Sequence, residues 1–466
     1  MNSSSYNASS DFFKALEAVC VSNDFKTVTQ RSLFDIMIMM GKAQYKPGDT
    51  FFTAFQTAFH SFRTPSPVVC DVIAAMRALS LSPKDDLLEK FELDIVAKRF
   101  QGCDAPSMAR LIEDLTHWHT PNQAFLTCFT EACLSLDRDS FQGHHIADIL
   151  TALAKVGHEP STAFRDYMEE VCLSHGLESC HDPSDLIMII HSLSSFKTPP
   201  TTGFLNGFDA VWSKTNLAHL SIEDLSLIVK AFSQLGRDPD VAFWQQWESM
   251  CVVAGGMHGT ELGSLVIMME ALLQLNHKPG KDFLCHFEEG CMKVSPPQDN
   301  RSSSRTLFAI TRGLTLLEHM PSSTFFHHLE KACECCLGDF SLSELISILR
   351  WLVQGKCQQP FSDFLRSFES VCLSYLRIST SKTIVEVVRE LIDLRVEMAP
   401  LFWKAVNQVV SQGNISGLLS SQELTYIGQL SVVVEEEDDT KAAVGMDVVP
   451  MESGTTCNET VSVLHD

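Results

Sequence analysis

Residues 121–160 read PNQAFLTCFTEACLSLDRDSFQGHHIADILTALAKVGHEP, and this stretch holds one structural unit running from one proline to the next. After Pro121 come Phe125, Phe129 and Cys133 at intervals of four, which places all three on one stripe of a helix, helix A. A polar loop follows. Then Ile149-Leu150-Thr151-Ala152-Leu153 supplies the body of helix B, and Gly157 stands where a left-handed residue would end that helix just before Pro160.

The same unit returns along the chain. Ten prolines (Pro47, Pro83, Pro121, Pro160, Pro199, Pro239, Pro279, Pro321, Pro360 and Pro400) are separated by 36 to 42 residues. Helix A recurs as Phe243, Trp247, Cys251, as Phe283, Phe287, Cys291 and as Phe364, Phe368, Cys372; after Pro83 the stripe is Leu87, Phe91, Ile95. Helix B recurs as Ile189-Ile190-His191-Ser192-Leu193 and Ile228-Val229-Lys230-Ala231-Phe232, with Gly236 in the place of Gly157. Ser341 with Glu344, and Ser420 with Glu423, have the spacing of a capping box, and Asp182-Pro183 suits an N-cap followed by proline at the first helical position.

Units of this size bury their apolar faces only by covering one another. The expected fold is therefore all-α, an α-solenoid of about eleven helix-turn-helix repeats of roughly 39 residues, filling residues 11–434. Its copies begin near Phe12, at each clock proline from Pro47 to Pro360, and at Pro400. Ser295 to Ser304, rich in Pro, Ser and Asn, reads as a surface loop inside one repeat. Residues 1–10 are polar and residues 435–466 are acidic without helical periodicity, so a disordered N-terminus and an acidic disordered tail are expected there.

Composition narrows the function. The chain carries a net charge of −23, of which the last 32 residues hold nine acidic side chains against one lysine, leaving −15 on residues 1–434. That sign disfavours indiscriminate nucleic-acid binding, which rewards a basic surface, while leaving room for a local basic stripe. Sixteen cysteines in a long chain that opens on polar residues rather than a secretory signal suit a reducing, intracellular setting. No apolar run reaches the ~18–20 residues of a membrane span.

Catalytic motifs are missing. The phosphate-binding, dinucleotide, serine-hydrolase and zincin signatures do not occur, so no enzyme activity, cofactor or small-molecule substrate is expected. His327, His328, Cys333, Cys335 and Cys336 are metal-capable, but Cys333 belongs to the helix A stripe and no second ligand pair follows at a zinc spacing; no metal is expected. Cys285 and His286 are adjacent on a helix, which turns them about 100° apart and away from a nucleophile–base contact.

One column of helix B varies while its neighbours stay apolar: Thr151, His191, Lys230, Glu270, Arg312, Arg350 and Arg389. Such a column suits a repeat protein that reads successive units of an extended ligand, as helical-repeat RNA binders read one base per repeat. It also suits the solvated stripe of an amphipathic helix. From Arg312 onward it turns basic.

Leu153-Ala154-Lys155-Val156-Gly157 followed by His158-Glu159-Pro160 resembles the helix B end of octotricopeptide-type repeats, in which a Leu-Ala-Lys-Leu-Gly run precedes the next repeat's proline. Phe232 to Pro239 and Leu272 to Pro279 are looser copies, and heptatricopeptide and FAST-kinase-like, RAP-associated helical regions share the form. The resemblance implies an RNA-binding protein that holds single-stranded RNA in a mitochondrion or plastid and serves RNA processing, stability or translation. The sequence departs from octotricopeptide repeats in carrying the variable column where Trp is common, and no RAP domain or basic, Ser-rich transit peptide is seen. The acidity favours a second expectation: a cytoplasmic protein-protein interaction scaffold that binds an extended protein or peptide without RNA.

Overall fold

The computed structural model describes residues 10–22, 25, 28–59, 66–215, 220–253, 257, 260–293, 300–354, 362–396, 398–412 and 416–442. Among these residues the chain is all-α, with no strand. It is an α-solenoid of eleven helix-turn-helix repeats. The pairs are α1 (Ser10–Ser22) with α2 (Gln30–Lys42), α3 (Asp49–Phe59) with α4 (Ser66–Ala78), α5 (Asp85–Ala97) with α6 (Ala105–Trp118), and α7 (Gln123–Leu134) with α8 (Gly143–Lys155). Next come α9 (Thr162–Val171) with α10 (Pro183–Ser195), α11 (Thr202–Trp212) with α12 (Ile222–Gln234), α13 (Val241–Val253) with α14 (Leu262–Gln274), and α15 (Lys281–Lys293) with α16 (Asn300–Leu316). The last are α17 (Ser323–Cys335) with α18 (Leu342–Gln354), α19 (Ser362–Leu376) with α20 (Ser381–Leu394), and α21 (Pro400–Gln412) with α22 (Ser421–Ala442).

The described residues divide into two compact units, one within Met1–Pro296 and Gly313–Phe325, the other within Pro297–Arg312 and Phe326–Asp466. In the first, A helices pack on A helices (α5 on α7, α7 on α9, α13 on α15) and B helices pack on B helices from α2 through α14. In the second, α19 packs on α21 and α18 on α20. The helix A stripe forms the core. Phe125 and Phe129 stack with ring centroids 6.2 Å apart, Phe283 and Phe287 at 6.3 Å, and Phe364 and Phe368 at 6.1 Å. Below them Cys133, Cys172, Cys251, Cys291, Cys333 and Cys372 are buried free thiols, small hydrophobes filling the last turn.

Helix ends follow local chemistry. Glu344 accepts from the Ser341 backbone N–H at 2.7 Å and donates its own N–H back to the Ser341 hydroxyl, and Glu423 does the same with Ser420. Asp182 caps α10 with Pro183 in its first turn. Helix B repeatedly closes on a left-handed residue: Gly157 (φ 66°) and Gly236 (φ 59°), but also Gln44, Ser80, Asn276 and Glu318, with φ between 49° and 56°. The residue after each donates its N–H five positions back, as His158 does to Leu153 and His277 to Leu272, which is the Schellman closure.

Those closures deliver the chain into a latch between repeats. A carboxylate one residue past the second stripe position of helix A accepts the backbone N–H at the start of the next helix A. Glu92 takes Asn122, Glu169 takes Thr201 at 3.0 Å, Glu248 takes Gly280 at 2.9 Å, Glu288 takes Ser322 at 3.1 Å and Glu369 takes Ala399 at 2.5 Å. Gln56 does the same for Lys84 with its side-chain carbonyl. In most of these joins the donor directly follows a proline, which has no N–H of its own and holds the turn that aims the next one. The helix B exit also contributes a side chain: His119 reaches Glu92 at 3.0 Å, His277 reaches Glu248 at 2.7 Å, and His319 reaches Glu288 at 2.6 Å.

Two sequence expectations are corrected. The acidic run does not end the last helix at 434, because α22 stays helical to Ala442; Glu, Lys and Ala are good helix formers, and their charge alone does not break the backbone. The stretch Ser295 to Ser304 is not wholly a loop: α16 begins at Asn300 and Ser304 is buried, so its second half is a first helical turn. Residues 1–9, 295–299 and 443–466 lie outside the described residues.

Candidate functional site: the helix B face

Stacking B on B copies one helical position into a line within each unit. In the first unit Thr151, His191 and Lys230 are half-buried and Glu270 is exposed. Hydroxyls and amides stitch the ridges beside them, as Thr151 Oγ1 lies 3.2 Å from Ser192 Oγ and Ser194 donates to Gln234 at 2.9 Å. His191 is one of the half-buried members. Burial, and then the charge of Lys230, push its pKa down to about 4, so its ring is neutral at physiological pH. Its Nδ1 has no hydrogen-bond partner among the described residues.

The line extends further than the sequence reading took it. Leu111-Ile112-Glu113-Asp114-Leu115 repeats the apolar pair and final leucine of α8, which makes Glu113 the counterpart of Thr151 on α6; the flanking Leu-Ile pair was the signal. Glu113 borders a depression of about 290 Å³, together with Arg77, His117, Asp148, Thr151, Lys155 and Asp185. Burial, reinforced by Glu113, raises Asp148 to about 6. Asp114 rises to about 6 for the same two reasons, although Arg77 lies 3.7 Å away and opposes them. A depression with this lining offers donors, acceptors and carboxyls that hold protons more readily than usual, with three carboxyl groups set against Arg77 and Lys155.

In the second unit Arg312 is exposed, but Arg350 and Arg389 are spoken for. Arg350 forms an ion pair with Glu390 at 2.5 Å, tying α18 to α20. Arg389 meets Glu423 at 2.8 Å and donates to the Leu418 carbonyl at 3.0 Å, tying α20 to the start of α22. Both sit at the predicted position, and both bridge neighbouring helices.

Among the described residues no group of three or more His, Cys, Asp or Glu side chains is placed to hold a metal ion. His327 and Cys335 are exposed while Cys333 and Cys336 are buried, so the cluster does not converge. His286 turns to the Asp282 carbonyl at 2.8 Å rather than to Cys285. Among the described residues no helix is long and apolar enough to cross a membrane.

No protein-family model matches the chain, and no curated protein matches it. Among the solved structures similar to it are the following two. Both are of the pentatricopeptide repeat protein PPR10 in complex with an 18-nt psaJ RNA element, one with three cysteines replaced by serine. Each is 11% identical, with 93% of this chain and 89% of that chain covered, at a TM-score of 0.17. A superposition at that level leaves the argument on the chain's own geometry.

Proposed function

We propose that the protein is a non-catalytic binder of single-stranded RNA, held along the helix B face with successive repeats meeting successive nucleotides. The observation that carries this reading is the column itself: one variable polar side chain per repeat on a framework of buried apolar neighbours, aligned by B-on-B packing. A neutral histidine, a threonine and a lysine in that line suit base edges and stacking better than a run of phosphates. The setting proposed is a mitochondrion or plastid, in RNA processing, stability or translation, on the strength of the repeat-end resemblance.

The test is a salt-titrated affinity for single-stranded RNA. With Arg350 and Arg389 occupied by glutamates, Lys230 and Arg312 are left as phosphate contacts, so the salt slope should be shallow, about 1.4 at roughly 0.7 per contact. Replacing Thr151, His191 and Lys230 together by alanine should weaken binding without changing helicity. Failure of the unmodified protein to bind at low salt overturns the reading.

A second reading is favoured by one specific feature, the carboxylate-lined depression around Glu113, Asp148 and Asp185. Its three carboxyl groups outnumber Arg77 and Lys155, which suits a cytoplasmic scaffold that takes an extended basic protein segment. Capture of such a segment by the face that fails to bind RNA would decide for it.

A further inference from the structure

Within the first unit, a cleft of about 310 Å³ lies beside the contact of the neighbouring A helices α11 and α13. Its apolar walls are Trp212, Phe232 and Phe243, with Trp212 and Phe243 ring centroids 6.0 Å apart and Phe232 edge-on to Phe243 at 5.0 Å. Trp212 is only 5% exposed, and its indole N–H has no acceptor among the described residues. A buried donor left unpaired costs about 1–3 kcal/mol, which an incoming acceptor would recover. The rim carries Asp209, Asp238 and Asp240 against one cation, Arg237, whose guanidinium is already paired with Asp209. Aromatic walls, an orphan donor and a rim of net −2 are three separate features of one place.

We infer that this cleft is a peptide-docking site, separate from the helix B face, for an extended segment that carries one apolar side chain flanked by basic residues. The volume is near the floor of ~300–1,000 Å³ for ligand sites, so it accepts a single large side chain. That side chain lies against the edges of the touching Trp212 and Phe243 rings, a carbonyl of the segment accepts the Trp212 N–H, and the flanking cations face Asp238 and Asp240. Charge complementarity selects the occupant: an acidic segment or a nucleic-acid backbone would bring negative charge to a negative rim.

The probe is acetyl-Arg-Phe-Arg-amide against the full chain labelled with 5-fluorotryptophan. Six tryptophans give six ¹⁹F lines, and Trp212→Phe identifies the one that matters. The expected result is that the peptide moves the Trp212 line, and that calorimetry finds acetyl-Glu-Phe-Glu-amide weaker by on the order of tenfold. Trp212→Phe, which keeps an aromatic ring at the position and removes the donor, should weaken binding about fivefold. Ala242→Trp, at an exposed position on the cleft's edge, should occlude the site without touching the core. No heat and no shift at millimolar peptide overturns the inference, as does unchanged affinity in Ala242→Trp. Movement of the same line by oligouridylate but not by the peptide also overturns it, whatever the helix B face does.

Discussion

Glu288 accepts the backbone N–H of Ser322, thirty-four residues further on, at 3.1 Å, and the Ser322 hydroxyl at 2.7 Å. His319 fills the other carboxylate oxygen at 2.6 Å. One side chain of α15 therefore holds the exit of one helix B and the entry of the next helix A. Burial opposes the charge, but the bonds from His319 and Ser322 win and keep the carboxyl below its ordinary value. Glu288→Ala should destabilise the protein by about 3 kcal/mol, since it strips a buried network of its acceptor, and Glu288→Gln by less. A depressed folded pKa gives stability that is present above the unfolded value and lost as pH falls through the folded one. Urea melts at pH 7 and below pH 4 should show that loss in the native protein and a smaller one in Glu288→Gln.

His191 predicts a loss of the same sign that begins at higher pH. Its folded pKa near 4 lies below the ordinary 6.5, so between those values the unfolded chain binds more protons and stability falls as pH drops, levelling off below 4. Lys230→Gln should raise the histidine's pKa by removing the second cause of its depression. Histidine proton NMR across pH 4 to 7 checks both statements.

The two charged bridges change what a charge-reversal experiment means. On sequence alone, glutamate at Arg312, Arg350 and Arg389 should abolish RNA binding and leave melting unchanged. The structure retains that expectation for Arg312 only. Arg350→Glu faces Glu390 and Arg389→Glu faces Glu423, each at a part-exposed pair, so each should cost about 1 kcal/mol or less. Restoring the pair in reverse, Arg350→Glu with Glu390→Arg, should recover the melting temperature.

Helix B endings give a prediction of paired sign. Ser80 holds a left-handed conformation that costs a side-chain-bearing residue about 1 kcal/mol, so Ser80→Gly should stabilise by about that much. Gly157 holds the same conformation, and Gly157→Ala should destabilise by a similar amount although open space surrounds it. Chemical denaturation of the two variants side by side is sufficient.

Thiol accessibility should divide the cysteines into two classes. Cys285 and Cys335 are exposed and should react with a polar alkylating reagent in the native state. Cys133, Cys172, Cys251, Cys291, Cys333 and Cys372 should react only on unfolding, because burial both hides them and pushes their thiols well above the ordinary range.

What could be read in the sequence was what repeats in side-chain type. The Phe125, Phe129, Cys133 stripe and the proline clock carry the fold, because burial selects apolar residues at helical spacing. The capping boxes of Ser341 and Ser420 were equally visible, since both partners are side chains three residues apart. The left-handed ends were seen only at Gly157 and Gly236; Ser80, Asn276 and Glu318 take the same conformation with no glycine to announce it. The latch was missed because its donor is backbone and its acceptor sits among polar residues. The roles of Arg350 and Arg389 were hidden for a different reason: their glutamate partners are thirty-four to forty residues away.

The latch has a consequence for how freely these repeats can diverge. Its donors belong to Gly48, Lys84, Asn122, Thr201, Gly280, Ser322 and Ala399, residues with almost nothing in common, and every side chain except proline's leaves the amide in place. Away from the two glycines, where a Cβ would press on the accepting carboxylate, one half of each join is therefore indifferent to side-chain type short of proline, and the mutational risk falls on the side chain that receives it. In a saturation library position 399, already a Cβ-bearing exposed residue, should accept nearly everything but proline and position 369 very little, an asymmetry between two residues that touch.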